Sequence, residues 1–146
     1  MAASALSAKY VEFPQAQIFA PRAGGGNVAT TFDAKGTRLL RVPRLTASVA
    51  ADYTFAAFEG DLTISGNLSY QDEFFWQVGG RVRQPENALI NGQVAWRSQD
   101  GALELALWMK NLTNVQPPLS VSVGTVGDTA SYSRPRSLGV RFTGHW

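Results

Sequence analysis

The sequence predicts an all-β protein, an antiparallel up-and-down meander of about six long strands. Three observations predict it. Apolar and polar residues alternate with a period of two over segments about ten residues long, where a helix would scatter them around its axis. The connections alternate between short and long, as in a meander with two unlike ends. Of the 146 residues, 45% are hydrophobic and only 16% charged, against about 25% charged in ordinary globular chains. No run approaches the roughly 20 apolar residues that a membrane-spanning helix needs. Mean hydropathy is −0.10, the average expected when one face is apolar and the other polar. Together these describe an open, curved wall segment of a transmembrane β-barrel.

The first strand is the weakest, with Leu6, Ala8 and Tyr10 set against Ser7 and Lys9. A long connection from Pro14 to Val42 follows, expected to fold back as a hairpin around Asp33-Ala34-Lys35-Gly36. Within it, Gly24-Gly25-Gly26 reads as flexible loop, since a phosphate cradle needs a strand before it and a helix after. The second strand sets Leu45, Ala47, Val49, Ala51, Tyr53 and Phe55 against Thr46, Ser48, Ala50, Asp52 and Thr54. A short turn, Ala56 to Gly60, closes with a glycine able to take positive φ.

In the third strand Leu62, Ile64, Gly66, Leu68 and Tyr70 interleave with Thr63, Ser65, Asn67, Ser69 and Gln71. The connection Gln77 to Glu86 is long. The fourth strand sets Ala88, Ile90, Gly92, Val94 and Trp96 against Leu89, Asn91, Gln93, Ala95 and Arg97, and the short turn Ser98 to Gly101 ends it. Next, Leu103, Leu105, Leu107 and Met109 alternate with Glu104, Ala106, Trp108 and Lys110. After the long connection Thr113 to Pro135, the last strand sets Leu138, Val140, Phe142, Gly144 and Trp146 against Gly139, Arg141, Thr143 and His145.

Run up and down, this chain brings Phe55, Phe58, Trp96 and Trp146 to the short-turn end, and Tyr10, Tyr70, Phe74, Phe75 and Trp76 to the long-loop end. Two aromatic belts around an aliphatic band suit a bilayer, because amphipathic rings prefer the headgroup level. Lys9, Asp52, Arg97, Glu104, Lys110 and Arg141 fall on the opposite face, which would look onto water.

Several functions are excluded. Lys and Arg exceed Asp and Glu by only 13 to 11, a net charge of +2, with no basic cluster to track nucleic-acid phosphates. With no cysteine and one histidine, neither a thiolate metal site nor a disulfide framework is expected, and no cofactor is. His145, penultimate on a strand face, reads as a rim residue and not as a catalytic one. The sequons at Asn67 and Asn111 fall in strands and are set aside. Met1 to Ser7 has neither a basic nor an apolar signal region, so no signal peptide is expected here.

The motifs then resemble a family. Arg134-Pro135-Arg136-Ser137-Leu138-Gly139-Val140-Arg141-Phe142-Thr143-Gly144-His145-Trp146 is similar to the closing strand of TonB-dependent outer-membrane receptors, with its terminal aromatic and Pro-Arg lead-in. Leu107-Trp108-Met109-Lys110-Asn111-Leu112-Thr113-Asn114 resembles their penultimate strand, and Gly36 to Arg44 followed by Tyr53 resembles an earlier one. Gly144 departs from the pattern, which has a bulky apolar residue two before the end. The family's barrel has about 22 strands around a plug, preceded by a signal peptide and a TonB box. The resemblance therefore implies that residues 1–146 are the C-terminal part of such a barrel, without plug, TonB box or signal peptide. Six strands are too few to close, since single-chain barrels start at about eight.

For the whole receptor, the resemblance implies a non-enzyme of the bacterial outer membrane. It would take up a scarce ligand such as a ferric siderophore, a vitamin or a glycan. The implied partners are outer-membrane lipid, the remaining barrel and plug, the barrel assembly machinery, and the TonB complex through parts this chain lacks. Leu138, Val140, Phe142 and Trp146 would be the barrel-assembly signal. Phe74, Phe75, Trp76, Arg81 and Arg83, at the long-loop end, are possible ligand contacts. A belt with solvated loop charges is the plainer reading of the same residues, as lumen solvation is of Glu104 and Lys110. Three alternatives stay open: a soluble lipocalin-like binding barrel, a porin-like outer-membrane barrel outside the TonB class, and a fragment without function.

Overall fold

The computed structural model describes residues 1–145; Trp146, expected in the assembly signal, lies outside the described residues. Among the described residues every regular element is a strand. In chain order they are β1 (Ala2–Ala5), β2 (Ala16–Pro21), β3 (Asn27–Phe32), β4 (Leu45–Ala56), β5 (Gly60–Gln71) and β6 (Phe74–Phe75). They continue with β7 (Arg83–Gln84), β8 (Asn87–Ser98), β9 (Leu103–Lys110), β10 (Pro118–Val123), β11 (Asp128–Tyr132) and β12 (Ser137–Gly144). Six of them form one antiparallel sheet in the order β1-β4-β5-β8-β9-β12, and the other six pair as β2-β3, β6-β7 and β10-β11. The meander is as expected. Each small pair is a hairpin inserted in one of the three long connections.

The register carries the alternation across the sheet. Tyr53, Ile64, Val94, Leu107 and Val140 are successive cross-strand partners, and so are Phe55, Leu62, Trp96, Leu105 and Phe142. These rows lie on one face, because residues opposite one another in a ladder point the same way. The intervening rows are largely polar or small, Trp108 being an exception. Asp52, Ser65, Gln93, Trp108 and Gly139 make one of them. Glu104 on that face accepts hydrogen bonds from Arg97 and Arg141, each at 3.0 Å. Nothing among the described residues covers the apolar face: Tyr53, Leu138 and Val140 are each 68% exposed and Phe142 69%.

Three expectations are corrected. The first strand is Ala2–Ala5, paired with β4 from Ala2↔Ser48 to Ala5↔Leu45, and not Leu6 to Tyr10. Beyond it the regular ladder ends. The chain continues in irregular contacts: Leu6 N–H to the Arg44 carbonyl (2.9 Å) and Tyr10 N–H to the Thr37 carbonyl (3.0 Å). The first hairpin turns at Arg22 to Gly26, where Gly24, Gly25 and Gly26 have φ of 94°, 102° and 71°, and not at Asp33 to Gly36. The glycine triplet is therefore the turn itself. A left-handed run of this kind is close to glycine's exclusive territory.

The third correction lies in the β4–β5 turn. Gly60 does not carry the positive φ; Phe58 (53°) and Glu59 (56°) do. The Ala57 and Gly60 amides and carbonyls bond reciprocally across them at 2.8 and 3.1 Å, a two-residue turn of the type that normally uses Asn-Gly. Gly60 is required for space, since a Cβ there would overlap the Arg97 carbonyl oxygen and lie 2.8 Å from Trp96 Nε1. The following turn behaves as expected, with Gly101 at φ 72°. Hydrogen bonds from the Ser98 hydroxyl (2.6 Å) and the Ala102 N–H (3.0 Å) hold the Asp100 carboxyl below its usual pKa.

Candidate functional site

The candidate site is the cluster of long connections, because that is where the chain packs against itself in three dimensions. A single-layer sheet has no interior. Ala16, Ala34 and Val78 form a small buried core with Tyr10, Ile18, Phe32 and Leu40 around it. All seven come from the segments between β1 and β4 and between β5 and β8. Small residues at Ala16 and Ala34 allow the β2-β3 hairpin and the segment around Val78 to approach closely.

Polar contacts bind the third connection to the first two. The Asn27 N–H donates to the Thr125 carbonyl (2.8 Å), and its Nδ2 donates to the Gly124 carbonyl (2.8 Å) and Asp128 Oδ1 (2.9 Å). Arg81 donates to both oxygens of the same carboxylate, at 2.6 and 3.0 Å. Arg81 Nε also reaches Gln77 Oε1 (3.1 Å), and Gln77 Nε2 reaches the Phe19 carbonyl (3.1 Å). One carboxylate therefore joins all three loops. The bonds from Arg81, helped by Asn27, hold Asp128 below the usual carboxylate pKa against the opposing effect of burial.

The sequence-predicted ligand contacts divide by environment. Phe74 is buried and packs on Trp76 with ring centroids 5.1 Å apart. It belongs to the loop unit and not to an outward belt. Phe75 and Trp76 are half-buried, beneath Arg38 (5.3 Å) and Arg41 (5.0 Å) respectively. Trp76 Nε1 also donates to buried Gln84 (3.2 Å). Arg81 is engaged with Asp128. Arg83 is exposed and pairs with Glu73 (3.0 Å), which Arg38 also binds (3.2 Å). Arg83, Gln84, Pro85, Pro117, Pro118 and Tyr132 line a groove of about 460 Å³ between the second and third connections. Among the described residues no group of carboxylates and histidine is placed to hold a metal ion.

Sequence reasoning missed Asn27, Asn111 and Asp128. Asn111 ends β9 with φ 55° and is buried. Its amide donates to the Val115 (2.7 Å) and Arg134 (3.0 Å) carbonyls, tying both ends of the third connection together. The available signal was the Lys110-Asn111-Leu112-Thr113 motif, whose asparagine is suited to a left-handed strand end. On the tail, Leu138, Val140 and Phe142 project from the apolar face of β12, whose other edge is unpaired among the described residues.

No family model matches the sequence, and no curated protein does. Solved structures do match in fold. One is the ferric yersiniabactin uptake receptor of Yersinia pestis, with a TM-score of 0.65 and 17% identity over 79% of this chain and 19% of that one. Another is the ferric preacinetobactin receptor of Acinetobacter baumannii, with a TM-score of 0.59 and 15% identity over 86% of this chain and 21% of that one. This chain thus spans about a fifth of each receptor's length. The six-stranded sheet has the fold of a segment of barrel wall from a siderophore receptor.

Proposed function

We propose that this chain supplies wall and outer loops to a TonB-dependent uptake receptor of the bacterial outer membrane. One observation carries the reading: a single-layer sheet with an uncovered apolar face, in a fold shared with ferric-siderophore receptors. Lipid is the cover that suits that face. Each large side chain on it gains about 1.5–3 kcal/mol on leaving water, and the same face in water would drive aggregation. The free edges of β1 and β12 require further strands, because an unpaired backbone group in hydrocarbon costs several kcal/mol.

Residues 1–146 on this reading are the C-terminal part of a larger barrel. The remaining barrel, the plug and the TonB complex that acts through it lie outside this chain. The ligand is a scarce one, with a ferric siderophore favoured by the similar structures over a vitamin or a glycan. Phe74, Phe75, Trp76, Arg81 and Arg83 belong to its outer vestibule. Leu138, Val140, Phe142 and Trp146 form the signal for the barrel assembly machinery.

The test uses outer membranes carrying the receptor that contains this chain, with and without the hairpin 118–132. The expected result is resistance to an alkaline carbonate wash, and saturable ferric-siderophore binding that weakens on deletion. Release by the wash overturns the membrane reading. A resistant barrel that binds no ferric siderophore overturns the ligand class alone.

A further inference from the structure

The apolar face does not fix the register of β12 on β9. Leu138, Val140 and Phe142 lie opposite Met109, Leu107 and Leu105. Sliding β12 by two residues sets apolar against apolar again. Such a slip also keeps every side chain on its own face, so patterning cannot reject it. Charge rejects only one direction: the other moves Arg141 directly opposite Glu104, which it already binds at 3.0 Å.

The polar face holds one pair that does discriminate. Trp108 is opposite Gly139. A Cβ on Gly139 would overlap the indole Cζ2 and lie 2.7 Å from Cε2 and 3.1 Å from Nε1. The indole therefore fills the space that a side chain at 139 would need. Lys110 Nζ lies 5.7 Å from the ring centroid, within cation–π reach. A slip in either direction brings Ser137 or Arg141 under the indole, and both carry a Cβ.

We propose that Trp108 and Gly139 form a register lock, which fixes β12 on β9 and sets the stagger at which the last strand meets its neighbour. An aromatic ring over a cross-strand glycine is a known way to pin an edge strand. In a barrel, strand stagger determines shear, and shear with strand number fixes tilt and diameter. One indole and one missing methyl group thus act on the geometry of the whole wall.

The chain has no cysteine, so introduced pairs report without background. Leu107→Cys with Val140→Cys reads the native register; Leu107→Cys with Leu138→Cys or with Phe142→Cys reads the two slips. A disulfide spans directly opposite Cα atoms and not diagonal ones beyond about 7 Å. In the membrane-inserted full chain only the native pair should close. Trp108→Ala should raise slipped cross-linking severalfold at the expense of the native pair, and Trp108→Phe should restore part of the native yield. Gly139→Ala should act in the same direction, and Trp108→Ala, which removes bulk, covers the case where Gly139→Ala does not fold. Native-only cross-linking in Trp108→Ala overturns the lock, as does slipped cross-linking with both residues intact.

Discussion

Arg81 grips Asp128 with two guanidinium nitrogens, at 2.6 and 3.0 Å, across 47 residues of sequence. The contact joins the second long connection to the third, and Asn27 adds the first through the same Asp128 Oδ1 (2.9 Å). The side chains are 29% and 33% exposed, so solvent screens the pair. Exposed pairs are worth about 0–1 kcal/mol, with bidentate arginine at the favourable end. Asp128→Ala should therefore loosen the loops without unfolding the sheet. Limited proteolysis should cut faster near Gly24 and Val126 in the variant, with the strands still protected. Unchanged cleavage at both tips would show that the small core of Ala16, Ala34 and Val78 holds the loops alone.

The same carboxylate gives the loops an acid limit. Asp128 has its pKa lowered from the ordinary 3.8, first by the Arg81 hydrogen bonds. A depressed folded-state pKa contributes stability that is present above the unfolded value and lost as pH falls through the folded one. Protection of the Asn27 amide, bonded to the Thr125 carbonyl, should thus hold from neutral pH down to about 4 and decline below it. Hydrogen exchange measured across that range checks it. In Asp128→Asn the decline should disappear, with weaker protection throughout.

The strands that span the sheet were legible because their signal is local. Leu62 to Tyr70 and Leu103 to Met109 alternate without interruption, and each residue reports its own face. β1 was misplaced because Ala2-Ala3-Ser4-Ala5 has no large side chain to alternate, so pairing with β4 decides its position. The loop unit was illegible for a different reason. Asn27 and Asp128 are 101 residues apart, and no periodicity links two hairpin tips. Likewise the sequence marks Gly139 only as a small residue in a strand. Its meaning is Trp108, which only the register supplies.

The β4–β5 turn should be easy to stabilise. Phe58 and Glu59 hold φ of 53° and 56°, a conformation that costs ordinary residues about 1–2 kcal/mol each. Replacing the pair by Phe58→Asn and Glu59→Gly supplies residues that adopt it readily. The double variant should gain up to about 2–4 kcal/mol, less what the largely exposed Phe58 ring gains from detergent. A higher urea midpoint in detergent is the expected reading. Gly60→Ala should move it the opposite way, since the added methyl meets the Arg97 carbonyl and Trp96. A midpoint that falls in the double variant would mean that the Phe58 ring contributes more than the strain removes.

Asn111 offers the sharpest separation of backbone from side-chain effects. Its φ of 55° is tolerated by asparagine and aspartate alike, so Asn111→Asp preserves the strand end. The substitution removes the two amide donations to the Val115 and Arg134 carbonyls and turns a carboxylate toward both oxygens. Leaving a buried acceptor unpaired costs about 1–3 kcal/mol; Val115 is half-buried and Arg134 exposed, so the loss lies toward the low end of that range, and the repulsion adds to it. Asn111→Asp should therefore unfold at distinctly lower denaturant than the parent at neutral pH. On acidification the new carboxyl gains a proton and can donate to one carbonyl; repulsion raises its folded-state pKa above the ordinary value, so the gap should narrow as pH falls toward about 4 and change no further below it. Asn111→Ala lacks that donor and should show no such recovery. Equal pH profiles for the two variants would mean that the amide bonds contribute little, and that the left-handed backbone alone is what the asparagine provides.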